Sequence, residues 1–169
     1  MTARSADRRG TERSAPPRLW TAEEASGRIP ELEELLPRLR GWVVRLREVH
    51  AEVQRLVGFW GADVDASDQA DHELKQRLDA EWTNLTHRLE EAIGGLRAEG
   101  IELKDLESGL VDFYGLEGGE LVFLCWQRGE ARVAFFHPIG GGYRNRRPIA
   151  APARGIPAGR GAPNPPGSA

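Results

Sequence analysis

The chain has 169 residues, a length typical of one domain with tails, and a formal net charge of −3. Its single cysteine, Cys125, excludes an intrachain disulfide and a cluster of several thiolates. No stretch approaches the ~20 consecutive apolar residues of a membrane helix, and the polar first residues lack the apolar segment of a secretory signal. We therefore expect a cytoplasmic protein that does not bind a membrane.

The charge is unevenly distributed along the chain. Residues 1–18 carry a net charge of +3 and residues 144–169 a net charge of +5, so the body between them carries −11. An acidic body repels phosphate backbones, because affinity for nucleic acid depends on cationic groups. Only the arginine-bearing tails could contact nucleic acid, and we regard this as the weakest of the functional hypotheses.

Composition divides the chain into a body and two tails. Residues 1–18 and residues 150–169 are rich in Arg, Ser, Pro, Gly and Ala and contain almost no large apolar side chains. Such segments cannot bury enough surface to offset chain entropy, so both tails are predicted to be disordered. The single folded domain should span residues 19–149, with a helical hairpin at 21–100 and a β-rich segment at 101–149.

The first helix has a clear start signal. Thr21 followed by Glu24 is a capping box, in which each side chain accepts a hydrogen bond from the other residue's amide. Pro30 disfavours helical geometry in the residue before it, so a short first helix should give way to a main helix with Pro30 in its first turn. Pro37 lies further inside this helix and predicts a kink.

Two apolar seams at helical spacing predict an antiparallel αα-hairpin. The first seam consists of Leu32, Leu36, Leu39, Val43, Leu46, His50, Val53, Val57 and Trp60. The second consists of Leu74, Leu78, Trp82, Leu85, Leu89, Ala92 and Leu96, and ends at Gly100. Residues 61–67 break the pattern as a turn does. A hairpin of this length could also form a homodimer as a four-helix bundle.

The period changes to that of a β-sheet after Ile101. Residues 109–113 alternate, residues 121–126 are continuously apolar, residues 127–130 form a turn, and residues 132–137 are again β-rich. This predicts a three-stranded antiparallel meander whose central strand is buried on both faces, with the hairpin as its cover. The fold class is therefore α+β: a long antiparallel helical hairpin packed on a small antiparallel β-meander.

Several segments carry a resemblance to a known family. Residues 104–113 read KDLESGLVDF, residues 124–130 read LCWQRGE, residues 136–138 read FHP, and residues 146–149 read RRPI. Together with the TAEEA opening at residues 21–25, they resemble the bacterial family DUF2203 over residues 19–149. The resemblance implies a fold and a bacterial origin, and it implies no established catalytic residue.

Candidate chemistry is concentrated in the β-rich segment. The acid–base residues there are Asp105, Asp112, Glu130 and His137, and either Arg146 or Arg147 could fold back as an anion clamp, with Arg147 taken as the site residue. If they converge, they suit acid–base catalysis or the binding of a small anion. The structural alternative is that they cap turns and strand ends.

Other polar groups favour no site. His50 and His87 should lie ~14 Å apart along the hairpin, too far to share an ion, so His50 is expected to pack in the seam and His72 and His87 to be exposed. Cys125 lies in an apolar stretch, where a thiol stays protonated and inert. The glycines at 140–142 lack the helix that a phosphate loop requires. We expect no cofactor and no metal ion.

The sequence favours a non-catalytic protein-interaction or scaffold module built on the helical hairpin. The surface offered by a long hairpin is its main feature, and no pairing of nucleophile and base is recognisable. The alternative is a small-ligand, anion-binding or acid–base site in the β-rich segment. The partner is unknown, and a homodimer through the hairpin is one candidate.

Overall fold

The computed structural model describes residues 17–61 and 69–149. Its α-helices are α1 (Ala22–Gly27), α2 (Ile29–Trp60) and α3 (Gln69–Ala98). They are followed by one antiparallel sheet in the order β1 (Ile101–Asp105), β2 (Leu110–Glu117), β3 (Glu120–Gln127), β4 (Phe135–Pro138) and β5 (Arg147–Pro148). The α+β fold is confirmed. The tails predicted to be disordered lie outside the described residues, apart from Pro17 and Arg18. The turn predicted at 61–67 also lies outside them, apart from Gly61.

The helix starts follow the sequence signals. The Thr21 hydroxyl accepts a hydrogen bond from the Glu24 amide at 3.2 Å, and the Glu24 carboxylate accepts one from the Thr21 amide at 2.9 Å. Pro30 stands in the first turn of α2, and α2 continues without interruption through Pro37. Gly100, which follows α3, has a φ of +72°, a left-handed conformation that glycine adopts without steric cost.

The two long helices pack along a seam that differs in detail from the predicted one. Val49 is fully buried and His50 is exposed, so the expectation that His50 packs in the seam is wrong. At 100° per residue His50 lies on the same side of α2 as Leu32, which packs in the core under the sheet. Beyond the sheet this side of α2 has no cover, and Val49 is turned 100° away from it. Trp82 of the second seam is likewise exposed, at 42%. None of the described helices is long and apolar enough to cross a membrane.

The sheet has two strands more than the predicted meander. β1 follows directly on Gly100 and mixes polar with apolar residues, and β5 is only two residues long, so neither gave a period-2 signal of useful length. The central strand was predicted correctly, because Val122 to Trp126 of β3 are all buried.

The helices cover one face of the sheet, which we call the inner face. It carries Ile101, Val111, Phe113, Val122, Leu124 and Trp126, all in one core with Leu32, Leu36, Leu39 and Leu96 of the hairpin. Trp20 closes this core: its ring meets Phe113 edge-on at 5.6 Å, and its indole N–H donates to the Glu99 carbonyl at 2.8 Å. We call residues 29–42 and 89–98 the sheet end of the hairpin, and residues 43–60 and 70–88 its free end.

The opposite, outer face of the sheet also contains buried side chains. Successive residues of a strand point to opposite faces, so Asp112 of β2 projects away from the helices, between the inner-face residues Val111 and Phe113. In the register of the sheet Asp112 lies opposite Cys125, and Phe123 lies opposite His137. These four residues are at most 3% exposed, although none of them belongs to the core that the helices cover.

Candidate functional site

Three side chains with acid–base or ligand chemistry meet on the outer face. Asp112 comes from β2, Cys125 from β3 and His137 from β4, which are neighbouring strands. Asp112 is 1% exposed, Cys125 0% and His137 2%. One potential ligand atom from each residue lies within 4.8 Å of the others. We call these three residues the outer-face cluster.

The histidine of the cluster is oriented by its own backbone neighbourhood. Its Nδ1 lies 2.9 Å from the carbonyl oxygen of Pro138. A carbonyl oxygen can only accept a hydrogen bond, so Nδ1 must carry a proton and donate it in this bond. Nε2 then faces Asp112 Oδ2 at 3.2 Å. A hydrogen bond between these two atoms requires one further proton, carried by the imidazole or by the carboxyl group.

The other carboxylate oxygen is not satisfied. Asp112 Oδ1 is buried and makes no hydrogen bond of standard geometry with any described residue. Burial raises the pKa of Asp112, and the charge of His137 together with hydrogen bonding from the Cys125 thiol offsets only part of this rise. Burial, with the neighbouring Asp112 charge, raises the pKa of the Cys125 thiol to about 12. At neutral pH the thiol is therefore protonated.

Aromatic rings and cations cover the cluster. The Phe123 ring lies 5.6 Å from the His137 ring and 4.7 Å from the Tyr114 ring. The Lys104 ammonium stands 4.3 Å above Phe123. This layer on the outer face takes the place of a second helical layer and accounts for the burial of polar groups there.

Asp105, predicted as a site residue, lies in a turn away from the cluster. Its Oδ1 accepts a hydrogen bond from the Glu107 amide at 2.9 Å, and its Oδ2 accepts one from the Ser108 hydroxyl at 2.8 Å. These bonds hold the pKa of the exposed Asp105 carboxyl below its usual range, the Ser108 bond contributing most. Asp105 therefore stabilises a turn through side-chain hydrogen bonds, which is the alternative to a role in a functional site.

The predicted site residue Glu130 lies just after β3 and makes its contacts outside the outer-face cluster. Glu130 accepts a hydrogen bond from the Gln127 amide at 2.9 Å and pairs with Arg146 at 2.7 Å. Arg146 also lies over the Phe135 ring at 4.4 Å. Arg147 is exposed and makes no ion pair with a described residue. The arginine that folds back onto the sheet is thus Arg146 rather than Arg147, and its charge is already paired.

Of the predicted site residues the structure brings together Asp112 and His137, and it adds Cys125. The sequence predicts Cys125 to be a core residue, and Cys125 is fully buried. The sequence does not show on which face of the sheet it lies: Cys125 shares a register position with Asp112 on the outer face. Period-2 counting within each strand assigns faces, but only the register between strands places the three residues side by side.

The hairpin histidines lie elsewhere. His87 is exposed as predicted, with Nδ1 3.4 Å from the Glu91 carboxylate. His72 is half-buried, and the expectation that it is exposed is wrong: one ring nitrogen lies 2.9 Å from the Gln76 amide one turn further along α3. His50 lies beside Trp82, with ring centroids 5.9 Å apart.

His50 and Trp82 belong to an apolar groove on the free end of the hairpin. The groove has a volume of about 370 Å³ and is lined by Val43, Leu46, Arg47, His50 and Trp82. Trp82 is 42% exposed and the nearby Val44 is 51% exposed. The free end therefore presents large apolar side chains to solvent between its two helices.

Comparison with known protein families gives a match to a family model. The family model described as "Uncharacterized conserved protein (DUF2203)" matches residues 18–149. No curated protein matches the chain, and no solved structure matches it.

Proposed function

The chain belongs to the DUF2203 family, whose description names no activity, and we propose that it is a non-catalytic interaction module whose free hairpin end docks against a second copy of the chain. The observation that carries this proposal is the largely apolar groove lined by Val43, Leu46, Arg47, His50 and Trp82. The groove lies on a pair of helices that has no other described element over it.

Burial along the hairpin supports the proposal. In the described part of the free end, the fully buried apolar side chains are Val49, Leu78 and Leu85. The remaining seam residues there are half-buried or exposed, because two helices alone cannot enclose an apolar seam. A third or fourth helix laid over the groove would remove this surface from water, at roughly 25 cal/mol per Å².

The two edges of the free end differ in polarity. On one edge Arg45 forms a two-bonded ion pair with Glu81, at 2.7 and 2.9 Å, and also pairs with Glu48. At 100° per residue, Val43, Leu46 and His50 fall on the other side of the helix from Arg45. Ion pairs thus join the two helices along one edge. The groove lies along the other edge, and its lining is apolar apart from Arg47 and His50.

A second copy is the partner that fits this edge. Two hairpins packed by their open edges form a four-helix bundle, the usual way for long hairpins to bury their seams. In a two-fold arrangement Trp82 of each copy meets the groove of the other, which suits a residue type that often anchors interfaces. The free end is about 27 Å long and about 20 Å wide. A flat face of this size measures about 540 Å², or about 1,100 Å² for both partners, which is at the low end for specific protein–protein interfaces.

The outer-face cluster does not favour catalysis. The side chains of His137 and Asp112 are only 3% and 2% exposed. A substrate could reach them only after the sheet opened, and Asp105 and Glu130 are engaged elsewhere. The acid–base alternative therefore lacks an accessible reacting group.

The test is sedimentation equilibrium of the full chain between about 1 and 100 µM. We expect a monomer–dimer equilibrium in the wild type. The variant Trp82→Glu places a charge in the groove and should shift the dissociation constant upward by at least tenfold. The control Asn84→Glu adds the same charge at an exposed position on the same helix and should leave the constant unchanged. A wild-type chain that stays monomeric at 100 µM contradicts the proposal.

A further inference from the structure

We propose that Asp112, Cys125 and His137 bind one divalent transition-metal ion, and that the ion they are built for is zinc. The inference is independent of the proposed hairpin docking. It rests on the identity, burial and spacing of these side chains on three neighbouring strands.

The donor set matches zinc chemistry. Zinc takes cysteine sulfur, histidine nitrogen and carboxylate oxygen, and sites with three protein ligands keep a fourth position for water. Calcium and magnesium prefer oxygen ligands alone, so a thiol and an imidazole would be poor ligands for them. The second oxygen of Asp112 or a water molecule would supply the fourth position.

The spacing requires little movement. Two ligand atoms held about 2.1 Å from a tetrahedral ion lie about 3.4 Å apart. The Asp112 Oδ2 to His137 Nε2 distance is 3.2 Å. The three ligand atoms lie within 4.8 Å of one another, so the sulfur needs to approach by at most about 1.4 Å.

The histidine is already oriented as a ligand. Metal-binding histidines commonly donate their other ring N–H to a carbonyl or carboxylate, which fixes the ring and its tautomer. His137 Nδ1 makes this bond to the Pro138 carbonyl at 2.9 Å. Nε2 is thereby directed at Asp112 and Cys125.

An ion bound by both carboxylate oxygens of Asp112 would also give a partner to the oxygen that the protein leaves unsatisfied. Asp112 Oδ1 is buried without a hydrogen-bond partner among the described residues, a costly state for a carboxylate. With a dication, an ionised carboxylate, a thiolate and a neutral imidazole, the site has no net charge. Such a set can be buried without an uncompensated charge. The proton on the Cys125 thiol passes to solvent when the sulfur–metal bond forms.

Access to the buried cluster requires only a local opening. His137 lies on β4, which has four residues, and its outer neighbour β5 has two. Short strands at the edge of a sheet open more readily than its centre. A metal ion needs a smaller opening of this kind than a substrate molecule does.

The test is titration of the full chain, purified without a polyhistidine tag and stripped by a chelator, with cobalt(II) as a spectroscopic substitute for zinc. Because Cys125 is the only cysteine, a thiolate-to-cobalt charge-transfer band reports this site alone. We expect the band to saturate at one cobalt per chain and to vanish when zinc is added. Excess cobalt that gives only the spectrum of the hydrated ion overturns the proposal.

Variants assign the ligands. Cys125→Ser should abolish the charge-transfer band, and Asp112→Asn and His137→Gln should each weaken zinc at least as much as the 10- to 100-fold that loss of an outer-shell partner costs. His87→Gln, on the exposed face of the hairpin, is the matched control and should bind as the wild type does. If a cluster variant fails to fold, as judged by circular dichroism, the wild-type spectrum still decides between the two outcomes.

Discussion

The two ends of the hairpin are made of the same helices, yet they bury their side chains differently. At the sheet end Leu32, Leu36 and Leu39 are at most 1% exposed, because the inner face of the sheet covers them. At the free end the equivalent positions Val43, Leu46 and Val53 are only half-buried. The periodic pattern continues along both ends, so what differs is the presence of a third layer. An apolar seam on a two-helix segment therefore indicates a surface that can pack against a further element or a partner.

The largest expected difference between the two regions concerns thiol reactivity. Cys125 is fully buried in β3, and its pKa is raised to about 12, so iodoacetamide should reach it only when the sheet unfolds. Ala51→Cys places a thiol at an exposed position of the free end. In metal-free buffer we expect the added thiol to be alkylated at least about a thousandfold faster than Cys125, given typical unfolding free energies. Comparable rates, followed by mass spectrometry, would contradict the burial of the outer face.

Truncation of leucines should show the same contrast in stability. Leu36→Ala removes a fully buried side chain from the sheet end and should lower the free energy of unfolding by about 2–5 kcal/mol. Leu56→Ala removes a half-buried side chain from the free end and should cost about 1 kcal/mol. Urea unfolding, at a concentration where the chain is monomeric, measures both. Equal losses would mean that the free end is packed as tightly as the sheet end.

A smaller effect is expected from glycine in the sheet. A Cβ added at Gly115 would lie 2.7 Å from Leu124 side-chain atoms and 2.9 Å from the Trp20 carbonyl oxygen. Gly115→Ala should therefore destabilise the protein by about 1–3 kcal/mol through overpacking. Thermal unfolding checks this, and an unchanged melting temperature would show that Trp20 does not pack closely on β2.

The smallest effect has the opposite sign. Gly41 is exposed within α2, and a Cβ there would meet no atom within 4 Å. Gly41→Ala should stabilise the protein by about 0.5–1 kcal/mol, because alanine loses less backbone entropy in a helix. A destabilised variant, in the same thermal unfolding experiment, would indicate that the helix surface at this position is packed against something.

The sequence predicted those features that depend on local chemistry. Three such features are the capping box at Thr21, the proline in the first turn of α2 and the glycine after α3. Each could be predicted because it depends only on the backbone of its own segment. The buried strand β3 was equally clear from its continuous apolar residues. The candidate site was predicted only in part, through Asp112 and His137.

The rest depended on relations between segments. Whether Val49 or His50 is buried depends on where the sheet stops covering α2, because His50 lies on the same side of the helix as Leu32, and helical spacing alone does not show that limit. Cys125 joined the cluster through strand register. Arg146, which precedes β5, pairs with Glu130, whereas Arg147 within β5 is exposed. β5 pairs over two residues only, too few for any pattern.

The central claim is that the open edge of the free end docks against a second copy, and concentration-dependent hydrogen exchange tests it most directly. Exchange followed by mass spectrometry at about 1 and 100 µM should show protection rising with concentration in peptides from residues 43–60 and 70–88. Peptides from the sheet should exchange at the same rate at both concentrations. Exchange of the free end that is independent of concentration would contradict the claim.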